Sequence, residues 1–91
     1  MIRLNAFVQT TTAHCDEVKK LARQLVEKSR KDEGCISYDF FESSTRPEVF
    51  LFCETWRDQA AIDLHASAEH FVTLVGEIER LGTMKIEKFT F

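Results

Sequence analysis

A ferredoxin-like α+β fold with the order β-α-β-β-α-β follows from three observations. Residues 2–9 alternate apolar and polar side chains, two later stretches carry apolar residues at helical spacing, and the apolar run VFLFCETW (residues 49–56) is too short for a globular helix. Strands and helices in this order make the split β-α-β arrangement. Ninety-one residues suffice for a single domain, 1–91, with no internal repeat, low-complexity tract or linker. A lone domain of this size buries only about 60–65% of its unfolded surface, so self-association is a natural way to extend its core.

In the first strand Ile2, Leu4, Ala6 and Val8 point one way, and Arg3, Asn5, Phe7 and Gln9 the other. The polar TTTAHC connection leads into a helix that begins at His14 or Asp16. There Val18, Leu21, Ala22, Leu25, Val26 and Ser29 form one stripe opposite lysines, arginines and glutamates. Gly34 is expected to end that helix as a left-handed cap. CISYDFFES alternates Ile36, Tyr38 and Phe40 against Ser37, Asp39 and Phe41, and residues 43–48 return the chain as a hairpin to the apolar run. Asp58 is placed to cap a short helix, and Ser67 to cap a second one after a break. Phe71, Leu74, Val75, Ile78 and Leu81 then share a helical face closed by Gly82. A last strand covers residues 83–91. Its apolar parity shifts between Met84 and Ile86 on one side and Phe89 and Phe91 on the other, which predicts a bulge or a change of packing partner.

Two helices cover only one face of such a sheet. Yet Phe50 and Phe52 point opposite to Val49, Leu51 and Cys53, and both sets are apolar. An antiparallel sheet open to water on one side alternates with polar residues instead. A second copy of the chain is therefore the expected cover, giving a homodimer joined through the sheet face.

The net charge of −3 and the absence of a basic stripe argue against nucleic acid as a partner. No apolar stretch approaches the roughly 18–20 residues of a membrane span, and the N-terminus lacks the pattern of a signal peptide. Cys15, Cys35 and Cys53 are odd in number and widely spaced, which suits reduced thiols and a cytoplasmic location. Cys53 reads as a small core residue. Glu54, on the apolar strand, calls for an ion-pair partner such as Arg3 or Arg57.

The run ETWRDQAAIDLHASAEHF, preceded by DEGCISYDFF, resembles the antibiotic biosynthesis monooxygenase family, including its small quinol monooxygenase members. Gly34, Cys35, Tyr38, Glu54, Trp56, His65, Ser67, His70 and Phe71 stand in register with the family pattern. The resemblance implies a dimeric α+β barrel with a pocket between the sheet and the helices of each protomer. It further implies oxidation of a quinol or similar polyphenolic aromatic by molecular oxygen, without metal or other cofactor. An isomerase branch of the same fold, acting on a small phosphorylated signalling sugar, is the alternative, as is a dimer that only binds a small aromatic. Haem degradation is not expected, because Val75 occupies the position of that branch's iron ligand.

On this reading His65 and His70 are the candidate catalytic residues, since neutral imidazole suits proton removal near neutral pH. The competing role for each is a hydrogen bond that fixes the helix break, and for His70 the structural role is the simpler one. Asn5, Tyr38, Trp56 and Phe71 are the candidate substrate-binding residues. Trp56 serves equally well as a buried anchor. A metal site is not expected: a spacing of five residues turns about 140° around a helix, so the two imidazoles meet only if the chain bends at Ser67.

Overall fold

Four strands form one antiparallel sheet of order β2-β3-β1-β4 in the computed structural model, which describes residues 1–91. The strands are β1 (Ile2–Gln9), β2 (Cys35–Glu42), β3 (Val49–Trp56) and β4 (Thr83–Thr90). Helix α1 (Cys15–Ser29) follows a 3-10 turn, and α2 (Gln59–Ser67) and α3 (Glu69–Leu81) lie between β3 and β4. The expected β-α-β-β-α-β order holds, with the second helical segment split in two.

Alternation along the strands decides what the helices cover. Ile2, Ala6 and Val8 of β1, Tyr38 of β2, and Phe50, Phe52 and Trp56 of β3 are buried on the helical side. All of these but Ile2 pack in one core with Val18, Ala22 and Leu25 of α1 and Leu74, Val75 and Ile78 of α3. The opposite face carries a row of apolar side chains, because Phe41 pairs with Leu51 and Leu51 with Phe7 across three strands. Phe41 and Phe89 on that face are 53% and 51% exposed. Cys53 stands there too, half-buried beneath Arg3 rather than in the helix-covered core.

Several local expectations are corrected. Helix α1 stops at Ser29, and Gly34 lies beyond it with φ of 80°, turning the chain into β2 rather than capping the helix. A Cβ at Gly34 would overlap the Ala61 methyl, so the missing side chain also lets this turn press against α2. Ser67 does not cap α3: the N-cap is Ala68, in extended conformation, while the Ser67 hydroxyl donates to the Leu64 carbonyl at 3.0 Å. In strand β4 the change of packing partner holds and the bulge does not: β4 pairs with β1 without a register shift, and Met84 and Ile86 face the helices while Phe89 faces the other side. The irregularity in the sheet falls instead between Cys35 and Ser37 in β2. No helix is long and apolar enough to cross a membrane.

Candidate functional site

Between sheet and helices lies a cavity of about 340 Å³ in which eleven of fourteen lining residues are hydrophobic. Its floor is the helical side of the sheet, with Leu4, Ala6, Phe52 and Tyr38. Its roof is formed by Ile62 and His65 of α2 and Phe71 and Val75 of α3. Three ionisable groups of charge-carrying residues reach the wall: Glu54, His65 and Glu79. A larger groove of about 760 Å³ lies over α1 and β2. It is an ionic surface, with Lys19 paired to Glu42 and Arg30 to Asp39, each at 2.9 Å. The smaller cavity is the better site, because it combines an apolar lining with few convergent polar groups.

The chain delivers His65 to this wall in short steps. Strand β3 ends at Trp56, and the Asp58 carboxylate accepts from the Ala61 N–H at 2.9 Å, starting α2 at once. Ala61 and His65, one turn apart, form the buried face of this helix. His65 is only 2% exposed and packs among aromatic rings, with centroids 4.5 Å from Trp56, 4.8 Å from Phe71 and 5.6 Å from Tyr38.

Asp32, in the turn between α1 and β2, gives the imidazole its polarity. Its Oδ2 lies 2.8 Å from His65 Nδ1 and 2.9 Å from His70 Nε2. An ionised carboxylate only accepts, so both ring nitrogens donate to it. His65 is thereby held with its proton on Nδ1. Its Nε2 is buried without a partner and carries the free lone pair. Burial pushes the His65 pKa down, against the opposing pull of Asp32, so the neutral ring is favoured. The turn itself is anchored by the Arg57 N–H donating to the Gly34 carbonyl at 2.8 Å.

Glu54 is the second unusual group. It is buried, and its Oε1 accepts from the Trp56 indole N–H at 2.9 Å. Burial raises its pKa to about 7, opposed by hydrogen bonds from Trp56 and Tyr38. The expected ion pair does not form. Arg3 bonds Thr55 Oγ1 and Cys53 Sγ on the other face, and Arg57 pairs with Asp58 at 3.1 Å and Glu33 at 4.0 Å.

Of the residues singled out from sequence, His65, Tyr38 and Phe71 line the cavity. Trp56 is fully buried beside it and holds Glu54 and the His65 ring in place without reaching the wall. His70 lies outside, lining a surface groove, and reaches the site through Asp32 and through its ring, whose centroid is 6.1 Å from that of His65. Asn5 does not join the lining residues: it pairs with Cys53 on the open face of the sheet, with the strand between it and the cavity. Asp32 went unrecognised as a site residue. The available signal was its place just before Gly34, in a turn with no need of an acid for its own sake.

Comparison with known proteins places the chain by family and fold. The family model for antibiotic biosynthesis monooxygenase matches residues 1–76. A crystal structure of a conserved Bacteroides thetaiotaomicron protein of unknown function, described as a "possible oxidoreductase", is 46% identical. It covers 99% of this chain and 96% of its own, with a TM-score of 0.97. "Putative monooxygenase YcnE" of Bacillus subtilis is 33% identical over 81 residues, 89% of this chain and 85% of that protein. An uncharacterized Synechocystis protein, sll1783, is 43% identical over 56 residues, 62% of this chain, but the match spans only 38% of that relative's length.

Proposed function

The chain belongs to the antibiotic biosynthesis monooxygenase family, and within it we propose a cofactor-independent monooxygenase that oxidises a quinol or related polyphenolic aromatic with molecular oxygen. The observation that carries this reading is His65, a residue of the aromatic-lined cavity wall whose Nδ1 is backed by Asp32 and whose buried Nε2 has no partner. A dry cavity of this kind takes up a flat ring and strips it of water.

His65 Nε2 removes the proton of a phenolic hydroxyl. The resulting anion is electron-rich and reduces oxygen: a C–O bond forms at a ring carbon that bears hydrogen, and the proton held by His65 passes to the distal oxygen, giving a hydroperoxide. That carbon then loses its proton to His65 as the O–O bond breaks, and the departing hydroxide takes the proton up as water. One oxygen atom stays in the quinone product and the other leaves as water, with all four electrons drawn from the substrate. The Asp32 carboxylate stabilises the imidazolium in between without accepting its proton, as the carboxylate does in a Ser-His-Asp triad.

The phosphosugar alternative is not favoured. The cavity wall offers Glu54 and Glu79 and neither lysine nor arginine, a setting that repels phosphate. The test is oxygen uptake with reduced naphthoquinols and anthrone, beside isomerisation of a phosphosugar. Uptake that depends on both protein and aromatic supports the reading. Uptake no faster than in buffer across the aromatic panel, with turnover of the phosphosugar, would sink it.

A further inference from the structure

We infer that Asp32, His65 and His70 form a binding site for one divalent first-row transition ion, with zinc the best fit. The ligands are Oδ2 of Asp32, Nδ1 of His65 and Nε2 of His70, three atoms within 4.8 Å of one another. The sequence conceals this set. Its histidines are five residues apart, and they converge because the chain leaves helical geometry at Ala68, with ψ of 144°, before α3 begins. The third ligand arrives from the turn after α1, 33 residues before His65.

The distances suit an ion in place of the two shared protons. Nδ1 and Nε2 stand 2.8 and 2.9 Å from the same oxygen. Ligands about 2.0–2.2 Å from a tetrahedral zinc are separated by roughly 3.3 Å, so each Asp32 contact opens by a few tenths of an ångström. The two nitrogens, up to 4.8 Å apart, close by turning the His70 ring inward from its exposed side. Two imidazoles and one carboxylate are the donors of zinc, cobalt, nickel and copper sites, whereas calcium and magnesium require oxygen ligands. The side chains of Asp32 and His70 are each 18% exposed, and His70 lines a surface groove beside Glu69. An ion can therefore enter from outside, away from the apolar cavity, and complete its coordination with water.

Occupation would change the face that His65 presents to the cavity. An ion on Nδ1 forces the imidazole proton onto Nε2, turning a proton acceptor into a donor. The ion and proton abstraction thus exclude each other, and zinc acts as an inhibitor of turnover. That consequence rests on the oxygenase reading, but the binding itself does not.

The experiment titrates the full, tag-free, chelator-stripped chain with Co2+, read by visible absorption and calorimetry and followed by displacement with Zn2+. One Co2+ per chain is expected, displaced by Zn2+. Affinity should fall roughly tenfold or more in Asp32→Asn and in His70→Gln, and stay unchanged in His14→Gln. Nitrogen NMR of the wild-type histidines supplies a check that needs no variant, since Zn2+ should shift His65 Nδ1 and His70 Nε2. No saturable binding, binding unaffected by both substitutions, or unshifted His65 and His70 nitrogens would overturn the site. Chains that bind Co2+ yet, in the chelator-stripped metal-free form, consume no oxygen with any aromatic of the panel keep the site and refute the oxygenase, and the reverse result does the opposite.

Discussion

Asp32 Oδ2 lies 2.8 Å from His65 Nδ1, tying the turn after the first long helix to the short helix over the cavity. This one contact sets which imidazole nitrogen carries the proton and leaves the lone pair on the unpartnered Nε2. An amide at position 32 can donate to Nδ1 and reverse that choice. Asp32→Asn is expected to lower kcat for oxygen uptake about a hundredfold or more, with little change in aromatic binding. Steady-state kinetics beside equilibrium binding of the product quinone will separate the two effects.

The reaction should follow the neutral form of His65. Burial lowers its pKa from the ordinary 6.5, so uptake should rise with pH to a plateau through a midpoint below that value. Stability runs the same way. The unfolded chain binds the proton more readily, so stability is lost as pH falls below about 6.5. A pH profile of kcat with its midpoint above 6.5 would contradict the geometry.

Glu54 has the opposite sign. Its folded pKa is raised to about 7 from 4.5, so stability is fully present below 4.5 and declines as pH rises through 7. The loss is at most about 1.4 kcal/mol per pH unit across that window. Glu54→Gln keeps an acceptor for the Trp56 indole and carries no charge. Its stability relative to wild type, measured by urea denaturation, should therefore improve from about pH 4.5 to about pH 7 and level off above that.

Much of the fold was legible because periodicity is a local property. The alternation in β1 and the stripe of α1 depend only on which residues must face a core, and the apolar character of both faces of β3 was plain from Val49 to Cys53. The site was less legible, since it is made by packing between distant segments. Asp32 meets His65 and His70 only after Gly34 lets the turn approach Ala61 and the chain breaks at Ala68. Nothing periodic marks such an encounter. Asn5 illustrates a different failure. Its parity already placed it opposite Ile2, Leu4 and Ala6, and the cavity lies on their side of the sheet.

Gly34 joins fold and site, so its substitution should affect both. Alanine there takes φ of 80° and drives its methyl into Ala61. Gly34→Ala is expected to cost about 2 kcal/mol or more, from left-handed strain and overpacking together. Denaturant unfolding measures the loss, and a change under 0.5 kcal/mol would mean the turn yields easily (roughly the scatter of surface substitutions).

The open sheet face is expected to join a second copy of the chain. Phe7, Leu51 and Phe41 form a row across three strands there, and Asn5 Oδ1 is buried nearby without a donor. Leu51→Arg should convert a dimer to a monomer in sedimentation equilibrium at micromolar concentration. A wild-type chain already monomeric under those conditions would refute the assembly.

The most direct measurement compares wild type with His65→Gln for oxygen uptake on a reduced naphthoquinol, with binding of the corresponding quinone measured in parallel. The glutamine variant is predicted to bind the ring but lose roughly 10²–10⁴-fold in kcat, the usual contribution of a positioned base. Uptake undiminished in a folded His65→Gln protein would show that the buried imidazole is not the base.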